Sequence, residues 1–360
     1  MTNDRSPLGF AIVGCGGAAR DISRGIDLAE GAHLVAVHDR EPSHAAALAA
    51  GRTATVHTTL AALLRDPRVD VVCIALPHDR LAPTAVTALR AGRHVVVEKP
   101  AATDARGIRA IRDEALRANR SVGVMFDLRK VPTVASARRL VEAGALGRLR
   151  AIRITTMIDK PADYWASGPT GAVRDPWRAS RARAGGGVVL MNAIHQVDLV
   201  RAITDLEPLR VAGLTTAGVP GVEVEDAAVA TIAWSDDVLG SLVAAAHAPG
   251  AASAETIDID GDEGALRLGD LYQPRPELAW FRRGSAAGEA ATADAWLRER
   301  PTPADPFAST IAGFVDAIRA GRPLVPGLPD ADVALATVLA LYRSARSGRF
   351  ETVRPVGAAD

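Results

Sequence analysis

Hydrophobic positions in the first third of the chain fall in short, nearly continuous runs separated by amphipathic stretches. Leu8–Val13, His33–His38, Ala54–His57, Asp70–Leu76, His94–Val97 and Ser121–Phe126 read as strands. The run Asp70–Leu76 (DVVCIAL) lacks alternation, as expected of a central parallel strand buried on both faces. Helical patterns lie between the runs: a stretch through Leu28, Pro42–Ala50, Thr59–Arg65, Ala82–Ala91 with Gly92 as its stop, and Asp104–Asn119. Strands joined by helical crossovers in this order predict a doubly wound sheet.

After Pro132 the periodicity changes. A helix over Val134–Ala143 ends at Gly144. The runs Leu149–Met157, Arg210–Thr216, Ala227–Trp234, Leu239–Ala246, Thr256–Asp260 and Ala265–Leu268 follow without regular helical crossovers. They predict a large, mostly antiparallel open sheet. A loop rich in Gly, Arg and aromatics, Asp159–Gly187, and a helix over Val188–Ile203 separate the first two runs. Two helices close the chain. The first has Asp305 as N-cap, Pro306 at its first position and Gly321 as its stop, with Phe307, Ile311, Phe314, Val315 and Ile318 on one face. The second covers Asp330–Ser347. Gly269–Pro303 gives mixed signals and is expected to be partly irregular and mobile. The fold class is α/β: a doubly wound domain over 1–128, then an α+β domain over 129–360.

Composition narrows the partners. A chain of 360 residues suggests two domains, and 48% hydrophobic residues can fill two cores. Lys plus Arg and Asp plus Glu each number 42, so no basic excess points to nucleic acid. No run approaches the length of a membrane span, and no apolar signal segment precedes the first strand. Cys15 and Cys73 are the two cysteines; their spacing suggests neither a disulfide framework nor a metal site. A soluble, cytoplasmic protein is expected.

The loop Gly14-Cys15-Gly16-Gly17-Ala18-Ala19 fits G-x-G-x-x-A between the first strand and the first helix. Gly14 lets the chain turn tightly, Gly16 leaves room for a pyrophosphate against the backbone, and Ala19 permits close helix–strand packing. The helix N-terminus offers free N–H groups and a positive dipole end to the phosphates. Asp39, closing the second strand, would accept hydrogen bonds from ribose hydroxyls. That order of strand, loop, helix, strand and acid is a dinucleotide-binding fingerprint. The loop alone is weak evidence in a chain with 32 glycines, and a tight turn that binds nothing is the plain alternative. Asp39 favours NAD, since a carboxylate repels a 2′-phosphate. Arg40 beside it could stack on adenine or meet such a phosphate, which leaves NADP open.

Glu98-Lys99-Pro100 follows the fifth strand, at the edge where doubly wound sheets hold ligands. Lys99 there could hydrogen-bond a substrate hydroxyl and ease its deprotonation; a surface lysine at a turn is the alternative. In Gly185–Asp198, three glycines precede a helix on which Asn192, His195 and Asp198 recur every third residue and share a face. A carboxylate one turn from a histidine can set its orientation and basicity; a core histidine in a capped helix is the alternative. Trp165, Trp177 and Arg178 suit stacking on sugar rings and binding hydroxyls, or else serve as packing residues of an interface. Arg129, beyond the sixth strand, is placed to face the cleft.

Together these features resemble the Gfo/Idh/MocA oxidoreductases, the glucose–fructose oxidoreductase and inositol dehydrogenase group. The resemblance covers nearly the whole chain: the glycine loop, E-K-P at Glu98–Pro100, R-x-x-P at Arg129–Pro132, A-G-x-L-G-x at Ala143–Arg148, the G-G-G…H-x-x-D run at Gly185–Asp198, and the Asp305–Pro323 segment. It implies a Rossmann domain and hydride transfer between NAD(P) and a carbinol carbon of a sugar, cyclitol or sugar nucleotide. Lys99 would contact the reacting hydroxyl, His195 would act as acid/base, and the Lys99–Pro100 bond would be cis. Gly17, Ala18, Leu76, Pro77, Glu98 and Pro100 complete the expected cofactor set; Met191 and Asn192 join the substrate set. The resemblance also implies dimers or tetramers formed through the open sheet.

The chain departs from the inositol dehydrogenase pattern GGG-x-x-x-D-x-G-x-H. Met191 stands at the Asp position and Ala193 at the Gly before the histidine. Asn192 is offset by one, about 100° around a helix. The N-x-x-H segment common after the fourth strand is His78-Asp79-Arg80-Leu81. On this reading His195 lacks a neighbouring carboxylate to raise its pKa, and Lys99 lacks one to stabilise its charge. A cofactor-sensing regulator and a glycosidase-like enzyme using transient oxidation stay open beside the dehydrogenase.

Overall fold

Among the described residues six short strands build the first sheet, all largely buried except the exposed edge pair β3: β1 (Leu8–Val13), β2 (Ala32–His38), β3 (Thr55–Val56), β4 (Val71–Ile74), β5 (His94–Glu98) and β6 (Val122–Met125). Every pairing is parallel, in the order β3-β2-β1-β4-β5-β6. The computed structural model describes residues 6–161, 163–168, 171, 174–250, 254–269, 271–272, 276–283 and 296–357. The chain divides into two units. One gathers Met1–Asp127, Asp163–Gly185 and Asp305–Asp332; the other gathers Leu128–Ala162, Gly186–Ala304 and Val333–Asp360.

In the first unit, α1 (Gly17–Leu28), α2 (Pro42–Ala49), α3 (Leu60–Arg65), α4 (His78–Arg90) and α5 (Ala105–Ala118) form the crossovers. Local chemistry sets their starts: Thr59 Oγ1 accepts the Ala62 amide at 3.1 Å, and Asp104 Oδ1 the Gly107 amide at 2.9 Å. Helix α4 starts four residues before the expected Ala82. Pro83 looks like a first-turn residue in the sequence but lies inside the helix, forgoing one backbone bond there. Strand order reverses between β1 and β4, so the carboxyl ends of these strands flank the crevice where ligands of such sheets sit.

Two short helices, α7 (Tyr164–Ser167) and α8 (Arg181–Ala184), belong to the same unit, and the closing part of the chain completes its core. Helix α10 (Pro306–Arg319) begins where Asp305 Oδ1 accepts the Ala308 amide at 2.9 Å. The helix packs on α1: a Cβ on Gly25 would lie 2.8 Å from Phe307 Cβ. Phe314, fully buried, clusters with Phe10, Ile12, Ile311 and Val315 and covers Gly123 of β6.

Among the described residues the second unit holds a nine-stranded sheet. Its strands are β7 (Leu149–Met157), β8 (Pro208–Thr216), β9 (Ala227–Trp234), β10 (Leu239–Ala245), β11 (Ala254–Gly261), β12 (Gly264–Gly269), β13 (Glu277–Arg282), β14 (Leu297–Glu299) and β15 (Glu351–Thr352). The order is β14-β13-β12-β11-β7-β10-β9-β8-β15, antiparallel except between β7 and β10. Burial alternates along β9 and β10, so one face meets α6 (Pro132–Glu142), α9 (Ile194–Thr204) and α11 (Leu328–Ser347). Three strands exceed the expectation. β13 and β14 lie within the segment expected to be irregular; the rest of that expectation falls partly on 270, 273–275 and 284–295, outside the described residues. β15 is a two-residue edge too short for periodicity to reveal. Among the described residues no helix is long and apolar enough to cross a membrane.

Truncating Phe314 would open a cavity between α10 and β6. Phe314→Ala is expected to destabilise the protein by about 3–5 kcal/mol, read as a lower urea midpoint. A change within error would contradict the burial of this ring.

Candidate active site

The first unit presents a glycine turn, a helix start and an acid at one sheet edge. Gly14 has φ +88°, and a Cβ there would meet Ala75 O at 2.4 Å, so the turn after β1 admits only glycine. Gly16 caps α1 without a side chain, and the first turn, Gly17, Ala18 and Ala19, carries no acidic group. The amides there remain open to an anion, as phosphate binding requires. Asp39 Oδ2 accepts the Cys15 amide at 2.7 Å and Oδ1 the Glu41 amide at 2.8 Å, locking the end of β2 to the loop. Burial, and then the Asp39 charge, push the Cys15 thiol up to about 12, so it stays protonated. Leu76 and Pro77 follow β4 at the same edge, and a Cβ on Gly14 would lie 2.8 Å from Leu76 Cδ2.

Lys99 follows β5, and the Lys99–Pro100 bond is cis. Its surroundings correct the sequence reading, which gave Lys99 no charge-stabilising neighbour. Glu98 and the buried Asp127, just beyond β6, both interact with its charge. Loss of hydration pushes each carboxyl up to about 7, opposed by Lys99; for Asp127 the Glu98 charge pushes further in the same direction. The pair therefore titrates as a coupled system near neutrality. Asp127 was missed from sequence, although the strand-end rule that singled out Lys99 applies equally to β6.

Trp165, Trp177 and Arg178 belong to the first unit. Trp165 packs edge-on against Tyr164 at 5.4 Å. Trp177 lies 4.7 Å from the His78 ring, and the Arg178 guanidinium sits 4.4 Å over it. His78 Nδ1 is 2.8 Å from Ala184 O. Arg40 lies 3.3 Å from Asp175 Oδ2.

In the second unit the helix bearing His195 opens with a π-turn, Val189–Ala193, before α9. Such turns often mark functional positions. The turn widens the step between Asn192 and His195, and the three residues expected on one face take different partners. Asn192 Oδ1 accepts from Lys160 Nζ at 2.5 Å. Asp198 accepts from Arg129 Nε at 2.7 Å and Nη2 at 2.5 Å, so Arg129 is held in a bidentate pair. His195, buried, meets the edge of the Tyr272 ring at 6.2 Å. Met191 is buried, and its amide donates to Gly187 O at 2.8 Å.

The glycine run has a packing cause. A Cβ on Gly186 would lie 2.0 Å from Tyr342 Oη, and one on Gly187 1.8 Å from Glu225 O. The buried Glu225 carboxylate accepts the Gly187 amide at 2.7 Å, the Val189 amide at 3.1 Å and the Tyr342 hydroxyl at 2.7 Å. Burial pushes Glu225 above the ordinary carboxylate value against these bonds. In sequence Glu225 reads as a loop charge before β9; nothing local reveals its burial.

Residues 8–126 match the oxidoreductase family with an NAD-binding Rossmann fold, and residues 134–267 match the GFO/IDH/MocA C-terminal domain. The chain belongs to the Gfo/Idh/MocA family of oxidoreductases. It is 30% identical to levoglucosan dehydrogenase of Pseudarthrobacter phenanthrenivorans over 60% of this chain, a match that spans 59% of that protein. It is 26% identical to 1,5-anhydro-D-fructose reductase of Ensifer adhaerens over 94% of this chain and 97% of that one. An oxidoreductase domain protein from Kribbella flavida shares the fold, with a TM-score of 0.85 at 24% identity over 97% of this chain and 100% of that one. The Gfo/Idh/MocA assignment accounts for both units.

The raised Asp127 carboxyl links fold to pH. Unfolded, it ionises near 3.8; folded, it keeps its proton to about 7. The folded state binds more protons between those values, so this group's contribution to stability falls as pH rises through them. The urea midpoint of Asp127→Asn, relative to wild type, is expected to rise between about pH 5 and about pH 8. An offset constant over that range would contradict the assignment.

Proposed function

We propose that the protein is an NAD(P)-dependent oxidoreductase that moves a hydride between nicotinamide and a secondary alcohol or ketone carbon of a sugar, cyclitol or sugar derivative. The observation that carries this reading is Lys99, set at a strand end of an NAD-binding unit beside two carboxyls that titrate near neutrality. The names of two relatives, levoglucosan dehydrogenase and 1,5-anhydro-D-fructose reductase, support a carbohydrate-like substrate. Residues 1–128 bind the cofactor, with 163–185 and 305–332 packed in the same unit, and the rest of 129–360 serves substrate binding and assembly. The Gly14–Ala19 loop and the α1 start take the pyrophosphate; Asp39 takes the adenosine ribose and favours NAD over NADP, with Arg40 beside it. Leu76, Pro77, Glu98 and Pro100 line the same edge.

When bound, the nicotinamide supplies the hydride acceptor or donor. Lys99 polarises the substrate oxygen, with the Glu98 and Asp127 carboxyls in its field. His195 exchanges the hydroxyl proton. Met191 offers it no carboxylate, so its basicity rests on other neighbours. Lys160, through Asn192, brings a cation beside this helix. Arg129 positions α9 through Asp198. Met191 also favours a second reading, a cofactor-sensing regulator without turnover; retention of Lys99 and His195 opposes it. Two buried free thiols, Cys15 and Cys73, suit a reducing compartment such as the cytoplasm.

Assembly falls on the open face of the second sheet. Leu214, Val229 and Val243 are exposed and stand in cross-strand register, an apolar ladder of the kind that partners cover. Val229→Arg is expected to turn a dimer or tetramer into monomer by light scattering; a wild type already monomeric at micromolar concentration would overturn this placement.

A panel of sugars, cyclitols and keto-sugars, read by absorbance at the nicotinamide band, tests the activity; no turnover with any of them, despite NAD binding, would favour the regulator. On a turned-over substrate, Lys99→Ala and His195→Ala are each expected to lower kcat by ~10²–10⁴-fold with cofactor affinity near wild type. Near-full turnover in both would reject these roles. Asp39→Ser should narrow or invert a preference for NAD in calorimetric titration.

A further inference from the structure

A line of alternating charge crosses the first unit at the carboxyl edge of its sheet. Arg40 follows β2, and its guanidinium lies 3.3 Å from Asp175 Oδ2. Asp175 accepts from both Arg183 Nη1 and Nη2, the latter at 3.1 Å. Arg183 Nε reaches Asp79 Oδ2 at 3.6 Å, at the start of α4 beyond β4. Two further contacts seat the same segment beside β4: His78 Nδ1 at Ala184 O and the Trp177 ring on His78.

Topology gives this line its meaning. β1 lies between β2 and β4 in the sheet. A segment tied to the end of β2 through Arg40 and to the end of β4 through His78 and Asp79 must pass outside the end of β1. That is where the Gly14–Ala19 loop turns into α1. Residues 174–185, which sequence patterning assigned to the substrate side, thus bridge the crevice of the Rossmann unit.

We propose that Asp175 is a cofactor-retention and specificity residue: it fastens residues 174–185 across the dinucleotide crevice, and it occupies Arg40, the arginine next to Asp39 that would otherwise welcome a 2′-phosphate. This rests on the cofactor reading above. The two effects come from one carboxylate. Asp175 sits between two arginines, and Arg183 holds it below the usual carboxylate range, with Arg40 adding to this. Arg40 is 81% exposed at its side chain, and the contact with Asp175 draws it away from solvent and from an incoming phosphate. A single exposed ion pair is weak. The expected effects are therefore modest, and the retention effect draws on the shared hub rather than on Arg40 alone.

The test uses the full-length protein with NADH and NADPH as probes. Release is followed by stopped-flow fluorescence and affinity by calorimetry. Asp175→Asn is expected to speed NADH release about tenfold and to move the NADPH:NADH affinity ratio about tenfold toward NADPH, each about 1.4 kcal/mol. Arg40→Ala, which leaves Asp175 on Arg183, is expected to speed NADH release by a smaller factor without any gain in NADPH affinity. In Asp175→Asn/Arg40→Ala the NADPH gain should vanish, because it acts through Arg40. If the Asp175 variant does not fold, the Arg40 variant alone decides: unchanged NADH release overturns the strap. A wild type that binds NADH while Asp175→Asn leaves both release and ratio unchanged overturns the strap and spares the cofactor reading. A wild type that binds neither nucleotide overturns both.

Discussion

A carboxylate shielded from water anchors the His195 helix. Glu225 receives two backbone amides from the start of that helix and a tyrosine hydroxyl from α11. Removing its partners would leave a buried acid unsatisfied, at a cost of about 1–3 kcal/mol or more. Three parts of the second unit therefore meet at one group: the turn after Gly185, the entry to β9 and the long closing helix. The absence of side chains at Gly186 and Gly187 is what lets them approach. The glycine run looks in sequence like a flexible approach to a ligand; in the structure it is a packing requirement that fixes the helix bearing Met191, Asn192 and His195.

The first unit works by a different balance. Its central parallel strands are buried on both faces, so the edge of the sheet is where polar groups collect. Asp39 is satisfied by backbone amides, and Glu98 and Asp127 share the field of Lys99. Two carboxyls near half-ionisation beside one lysine make the local charge sensitive to pH in the physiological range. A surface lysine at a turn would have no such property.

The parallel sheet was legible from sequence because strands buried on both faces write themselves as continuous apolar runs, as in Val71–Ile74. The antiparallel strands through β12 were legible by alternation. What escaped was short or non-periodic. β15 has two residues, the ELAWFR run of β13 lacks clean alternation, and the π-turn at Val189–Ala193 has no compositional mark. Pro83 misplaced the start of α4 because a proline inside a helix looks like a proline at its first turn. At the site, Lys99 and His195 stood out through motifs. Asp127, Glu225 and Tyr342 did not, because their significance comes from burial and from partners distant in the chain. The loop containing Trp177 was readable as aromatic and basic, yet the unit it packs with is set by Arg183–Asp79 and His78–Ala184 contacts that no local pattern encodes.

The one parallel pairing in the second sheet has a kinetic meaning. β7 is flanked by β10 and β11, and both come much later in the chain, after the chain has left this unit and returned to it. No hairpin can give β7 a neighbour, so one of its edges stays unpaired until β10 has been made and the other until synthesis has passed residue 261. The β8–β9–β10 meander can form by local closure, but the sheet joins into one piece only when β7 slots between that meander and β11–β12. Loop closure over such separations is slow relative to hairpin formation. The centre of the finished sheet thus waits on long-range closure, and during that interval β7 presents free strand edges to other chains.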